Sequence, residues 1–128
     1  VGTPPYMSPE QAAGDPRGIT DSTDLYSLGA TLYFCLTQRL PHTGATLHDV
    51  LARVGSDPVV PPRAIEPTVP RDLEAICLKA MAKQPAERYP SALACAQDLE
   101  NFLARRPVLA RRYGQRETFA RAVAQRKE

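Results

Sequence analysis

The sequence has no tryptophan, few aromatic residues (6% Phe, Trp and Tyr together) and only three cysteines. Cys35, Cys77 and Cys95 are odd in number, never closer than 18 residues, and form no C-x-x-C pair. That excludes a disulfide framework and a cysteine-based zinc site, and predicts three small buried apolar residues in a reducing compartment. His42 and His48 lack the i, i+4 spacing of helix-borne metal ligands, so both are expected at the surface. No apolar run approaches the roughly 20 residues of a membrane helix, and no signal peptide opens the chain. No segment alternates convincingly enough to be a strand. The first residue is Val1 rather than an initiator Met, so the chain reads as if cut from something longer.

What is present suits one soluble domain: 128 residues, 43% hydrophobic and 23% charged. The net charge of +2 is unevenly spread. Residues 1–104 hold eight Lys/Arg against twelve Asp/Glu; residues 105–128 hold eight against two. An acidic-leaning body at 1–104 therefore carries a basic tail or linker at 105–128. The tail suits an acidic membrane surface or a solvated linker. It does not suit nucleic acid, since Tyr113 and Phe119 are its only aromatics and no recognition motif precedes it. Its possible helix from Gly114 has only Phe119 and Val123 for an apolar face.

Between these ends the pattern is all-α, with about four main helices plus shaped loops. Pro4, Pro5, Pro9 and Pro16 make the opening segment a loop, with a short helix near Glu10–Ala13 stopped by Gly14. From Ser22 to Leu36 the only charge is Asp24, and Leu25, Leu28, Leu32 and Leu36 keep helical spacing. A helix so apolar is expected to be the buried centre of the fold. Thr46 and Asp49 start a second helix, with Leu47, Val50, Leu51 and Val54 on one face and Gly55 as its stop. Pro58, Pro61, Pro62, Pro67 and Pro70 then predict irregular chain through residue 70. Pro70 opens a third helix with Leu73, Ile76, Cys77, Ala80 and Met81 inward, ended by Pro85. Ser91 caps a fourth, with Cys95, Ala96, Leu99, Phe102 and Leu103 inward and Pro107 closing it.

Four ordered motifs carry a resemblance. Gly2-Thr3-Pro4-Pro5-Tyr6-Met7-Ser8-Pro9-Glu10 resembles the G-T-x-x-Y-x-A-P-E end of the activation segment of serine/threonine protein kinases, with Ser8 where alanine is usual. Asp24-Leu25-Tyr26-Ser27-Leu28-Gly29 is similar to the start of the long central helix of the kinase C-lobe. Leu40-Pro41 and the helix at Thr46–Val54 look like the element that follows. Gln84-Pro85-Ala86-Glu87-Arg88 resembles the D-P-x-x-R motif, with Gln84 in place of Asp. The resemblance covers about residues 1–104 and has a bacterial style.

The resemblance implies a helical C-lobe portion of the protein-kinase fold, with the N-lobe absent. Gly2, Thr3, Pro4, Pro5 and Tyr6 would shape the protein-substrate pocket, Thr3 also orienting the catalytic Asp and Lys of an upstream loop. Glu10 and Arg88 would form a buried ion pair, since neither charge is tolerable there alone. Asp24 would accept hydrogen bonds from the catalytic-loop backbone, or simply favour the first turn of its helix. Phosphoryl transfer also needs a Gly-rich loop, a strand lysine, a catalytic Asp and Asn, and an Asp on magnesium. No G-x-G-x-x-G, H-R-D or D-F-G occurs here. The expectation is thus a truncated kinase with no catalytic, cofactor or metal residues of its own. Its parent would use ATP and Mg, and the missing upstream segment would be a partner. The parent would be cytoplasmic, or the cytoplasmic part of a membrane-anchored kinase. Two rivals stand beside it: a non-catalytic helical protein-binding module, and a membrane-associated adaptor acting through the tail. The helix at 22–36 should keep an exposed apolar flank, with Tyr26, Tyr33 and Phe34 as candidates to lie in it.

Overall fold

The computed structural model describes residues 6–14, 20–44 and 46–111. Those residues form helices α1 (Pro9–Ala12), α2 (Asp21–Thr37), α3 (Leu47–Ser56), α4 (Pro62–Ile65), α5 (Arg71–Ala80) and α6 (Ala92–Leu103), with a 3-10 turn at Pro85–Glu87. No strand occurs among the described residues. Gly2 to Pro5 and the tail from Arg112, including its expected helix, lie outside them.

Polar side chains set the helix starts. Ser8 and Gln11 cap each other's amides at α1, and Thr20 with Thr23 does the same for α2. Thr46 accepts the Asp49 amide at α3, and Ser91 the Ala94 amide at α6. Helix α2 stops at Gln38, which takes a left-handed φ of 60° and donates its N–H to the Phe34 carbonyl at 2.7 Å.

Helix α2 packs against α4, α5 and α6 and divides the core in two. On one side Leu25 meets Ile76, Ala80, Tyr89 and Cys95, joined by Val108 and Ala110 from beyond α6. On the other Tyr26, Ala30 and Tyr33 meet Cys77 and Met81, with Tyr6, Val59 and Ile65 against them. The packed body thus continues past residue 104. The α2–α5 crossing depends on Gly29. A Cβ there would lie 2.7 Å from Met81 Cγ and 2.9 Å from Ala80 Cβ, closer than atoms can pack.

Several expectations need correction. Tyr26 and Tyr33 are each only 1% exposed; the outward flank of α2 is instead Asp24, Leu28, Thr31, Phe34 and Cys35, with Leu28 52% exposed. Cys35 is exposed because it shares the stripe of Leu28 and Thr31, turned from α5. His42 is 5% exposed, not at the surface. Leu47 is exposed at the first position of α3, ahead of the turn that Val50 and Val54 bury. Gly55 does not stop α3, which runs to Ser56. Pro62 does not forbid a helix either: it occupies the first turn of α4, where its missing N–H has no intrahelical role. Ala96 and Leu103 face solvent, and the carboxylate of Asp98 takes the buried place on α6.

Candidate functional site

Among the described residues, the feature that joins the most distant parts of the sequence is the Arg88 guanidinium. It follows the 3-10 turn, and its side chain is fully buried. Its two terminal nitrogens hold the two oxygens of Glu10, Nη1 to Oε2 at 2.7 Å and Nη2 to Oε1 at 2.9 Å. The remaining donors are used as well: Nε on the Ala82 carbonyl at 2.8 Å, Nη1 also on the Ser22 carbonyl at 2.9 Å, and Nη2 also on the Lys83 carbonyl at 3.4 Å. Thr23 Oγ1 donates to Glu10 Oε2 at 3.0 Å. Burial pushes the Glu10 carboxyl up, but Arg88, a backbone amide and Thr23 outweigh it and leave the carboxyl below its ordinary range. A buried fork with every donor used is the arrangement in which an ion pair is tolerated inside a protein.

The Arg88 guanidinium also lies 5.0 Å from the Tyr26 ring centre. The Tyr26 hydroxyl is buried with no hydrogen-bond partner among the described residues, and burial pushes its pKa up to about 12. One residue on, Ser27 Oγ donates to the Tyr6 carbonyl at 3.0 Å. Helix α2 therefore grips the loop before α1 through Ser27, while Thr23 and the Ser22 carbonyl serve the Glu10–Arg88 pair. Residues from three of the four motifs meet here: Tyr6 and Glu10, then Tyr26 and Ser27, then Arg88.

The other expected site residues are placed differently. Tyr6 is half-buried against the second core. Asp24 is exposed in the first turn of α2, where Thr20 and not Asp24 does the capping. Gly2, Thr3, Pro4 and Pro5 lie outside the described residues. Among the described residues no three His, Cys, Asp or Glu side chains gather as metal ligands. No helix among them is long and apolar enough to cross a membrane.

Two further polar clusters lie outside the four motifs. His42 Nε2 lies 3.0 Å from Lys83 Nζ, which also donates to the Val54 carbonyl at 2.7 Å. An ammonium only donates, so Nε2 is the acceptor and the ring proton sits on Nδ1. Burial, then the Lys83 charge, lowers the His42 pKa to about 4. A lone histidine after a proline gives no pattern that would reveal this. Asp98 accepts from Tyr89 Oη at 2.6 Å and from the Leu109 and Ala110 amides at 2.7 and 3.0 Å. Here a signal did exist: an acidic residue in the stripe between Cys95 and Phe102 marks a carboxylate that must find buried donors.

No family-level sequence profile matches the chain. Individual proteins do. Tyrosine-protein kinase MasK of Myxococcus xanthus is 43% identical over 98 residues, 77% of this chain. Serine/threonine-protein kinase Pkn1 of Myxococcus xanthus is 42% identical over 104 residues, 81% of the chain. Serine/threonine-protein kinase PknB of Mycobacterium tuberculosis is 40% identical over 99 residues, 77% of the chain. The matched regions amount to only 15 or 16% of each of these proteins. With its all-helical fold, the chain belongs with the bacterial protein kinases of the serine/threonine type. It corresponds to a helical portion of their C-lobe.

Proposed function

We propose that the chain is the substrate-pocket and structural portion of a kinase that transfers the γ-phosphoryl group of MgATP to a Ser or Thr hydroxyl of a protein. The observation that carries this reading is the bidentate Glu10–Arg88 pair, because it ties the G-T-x-x-Y-x-A-P-E segment to the end of the domain. In this reading Gly2, Thr3, Pro4, Pro5 and Tyr6 shape the pocket for the acceptor segment, and the Ser27–Tyr6 hydrogen bond supports it from below. The choice of Ser/Thr over Tyr rests on Gly2-Thr3; the names of the relatives include both acceptor classes. The nucleotide, the magnesium ligands and the catalytic base belong to the parent's upstream segment, and so does the cover for the exposed flank of α2 at Leu28 and Phe34. Asp24, exposed on that flank, accepts hydrogen bonds from the catalytic loop there. The parent's catalytic domain is cytoplasmic, and the basic tail faces an acidic membrane surface.

Calorimetric titration of the 128-residue chain with MgATP tests the assignment of the nucleotide site. The expected result is no binding and no phosphotransfer by the chain alone. Micromolar binding would contradict it and would place the nucleotide on residues other than those of the kinase pattern.

A further inference from the structure

After Leu103 the chain reverses. Arg105 takes a left-handed φ of 61°, and the Arg106 amide donates back to the Asn101 carbonyl at 2.8 Å. The returning segment is locked in place: Val108 is 2% and Ala110 6% exposed, and both the Leu109 and Ala110 amides end on Asp98. Between this segment, the end of α6 and the start of α5 lies an open cleft of about 500 Å³. Its lining holds Arg105, Arg106 and Arg111, the acidic Asp72, and the apolar Phe102, Pro107 and Val108. Arg111 is paired with Asp72 at 3.0 Å. Arg106 uses only Nε, on Asn101 Oδ1 at 3.2 Å, and the Arg105 side chain has no partner among the described residues. Three arginines therefore line the cleft beside one carboxylate, and among the described residues the terminal donors of Arg105 and Arg106 meet no acceptor.

We propose that this cleft binds the phosphate of an anionic phospholipid headgroup. Guanidinium forks match phosphate oxygens in pairs, and unengaged ones beside an apolar lining suit a phosphodiester carried on an apolar body better than a free ion. The sequence that leaves the cleft continues with Arg112, Arg116, Arg121, Arg126 and Lys127, a distribution of charge that suits an extended acidic surface. The proposal deepens the membrane-facing reading of the tail and rests on that reading, not on phosphotransfer.

The test is co-sedimentation of the full 128-residue chain with phosphatidylcholine vesicles, with and without phosphatidylglycerol. Two variants remove equal charge: Arg105→Gln with Arg106→Gln in the cleft, and Arg126→Gln with Lys127→Gln in the tail. A second cleft variant, Arg105→Gly with Arg106→Gln, suits the left-handed backbone, and circular dichroism checks that helicity is kept. The expected result is binding only to phosphatidylglycerol vesicles, weakened by both cleft variants at least about tenfold more than by the tail variant. Equal weakening by cleft and tail pairs would overturn the proposal in favour of general charge attraction. Loss in the tail pair alone would also overturn it, while leaving the membrane-facing tail intact. Inorganic phosphate binding as tightly as the vesicles, or a phosphoserine peptide binding where vesicles do not, would overturn the lipid as ligand.

Discussion

Arg88 and Glu10 are separated by 78 positions in sequence and joined by two parallel hydrogen bonds of 2.7 and 2.9 Å. Removing the arginine leaves a carboxylate with 10% of its side chain exposed and its main partner gone. Arg88→Ala should therefore cost about 3–5 kcal/mol in denaturant unfolding, and replacing both residues by apolar ones of similar size should cost less. Additive small losses in the double-mutant cycle would contradict the pairing. The Glu10 carboxyl is held below its ordinary value near 4.5, so the unfolded chain takes up this proton first on acidification. The pair's stabilisation is complete above that value and is lost as pH falls through the lower, folded-state one.

Tyr26 offers a contrasting substitution. Its ring lies beside Arg88, but its buried hydroxyl has no partner among the described residues. Tyr26→Phe keeps the ring and removes the unpaired group, so it should be neutral or stabilise the fold by about 1 kcal/mol. A loss above that size on thermal melting would mean that the hydroxyl has a partner after all.

His42 makes stability depend on pH in a window above that of Glu10. Its folded pKa of about 4 lies below the ordinary 6.5, so between those values the unfolded chain binds the extra proton. Stability should fall as pH drops from about 6.5 to about 4, by as much as about 3 kcal/mol. His42→Gln should flatten the urea midpoint across this range. An unchanged slope would show that other groups cause it.

Gly29→Ala places a methyl group within 2.9 Å of Ala80 Cβ, where no flexible side-chain end can yield. The expected cost is about 1–3 kcal/mol from forced separation of α2 and α5. A melting temperature equal to that of the parent chain would contradict the close crossing.

The helices were legible where one signal sufficed. The uncharged run after Asp24 marked α2, and Ser91 marked the start of α6. The inward face of α2 was not legible from its leucines. Leu25 is buried, Leu28 is exposed, and Leu32 and Leu36 are half-buried, whereas Tyr26, Ala30 and Tyr33 form the tight contact. The small pair Gly29-Ala30 was the better guide, because small residues mark where two helices approach. The same limit applies to the site. Glu10 and Arg88 could be read from motif positions, but the donors and acceptors around them depend on how α2 crosses beneath. The Ser22 carbonyl, Thr23 and the Ala82 carbonyl leave no trace in residue type. Pro62 and Gly55 misled for the converse reason, since tertiary packing overrode the local preference of each.

The central claim is that these residues are an interchangeable portion of a bacterial kinase C-lobe. It is tested most directly by replacing the matching 99-residue region of Mycobacterium tuberculosis PknB with the corresponding residues of this chain and measuring phosphotransfer to a protein substrate. The account predicts a folded chimera whose rate stays within about tenfold of the parent kinase, and whose activity is lost on Arg88→Ala as the Glu10 anchor is released. A chimera that folds and binds MgATP but transfers no phosphate would contradict it.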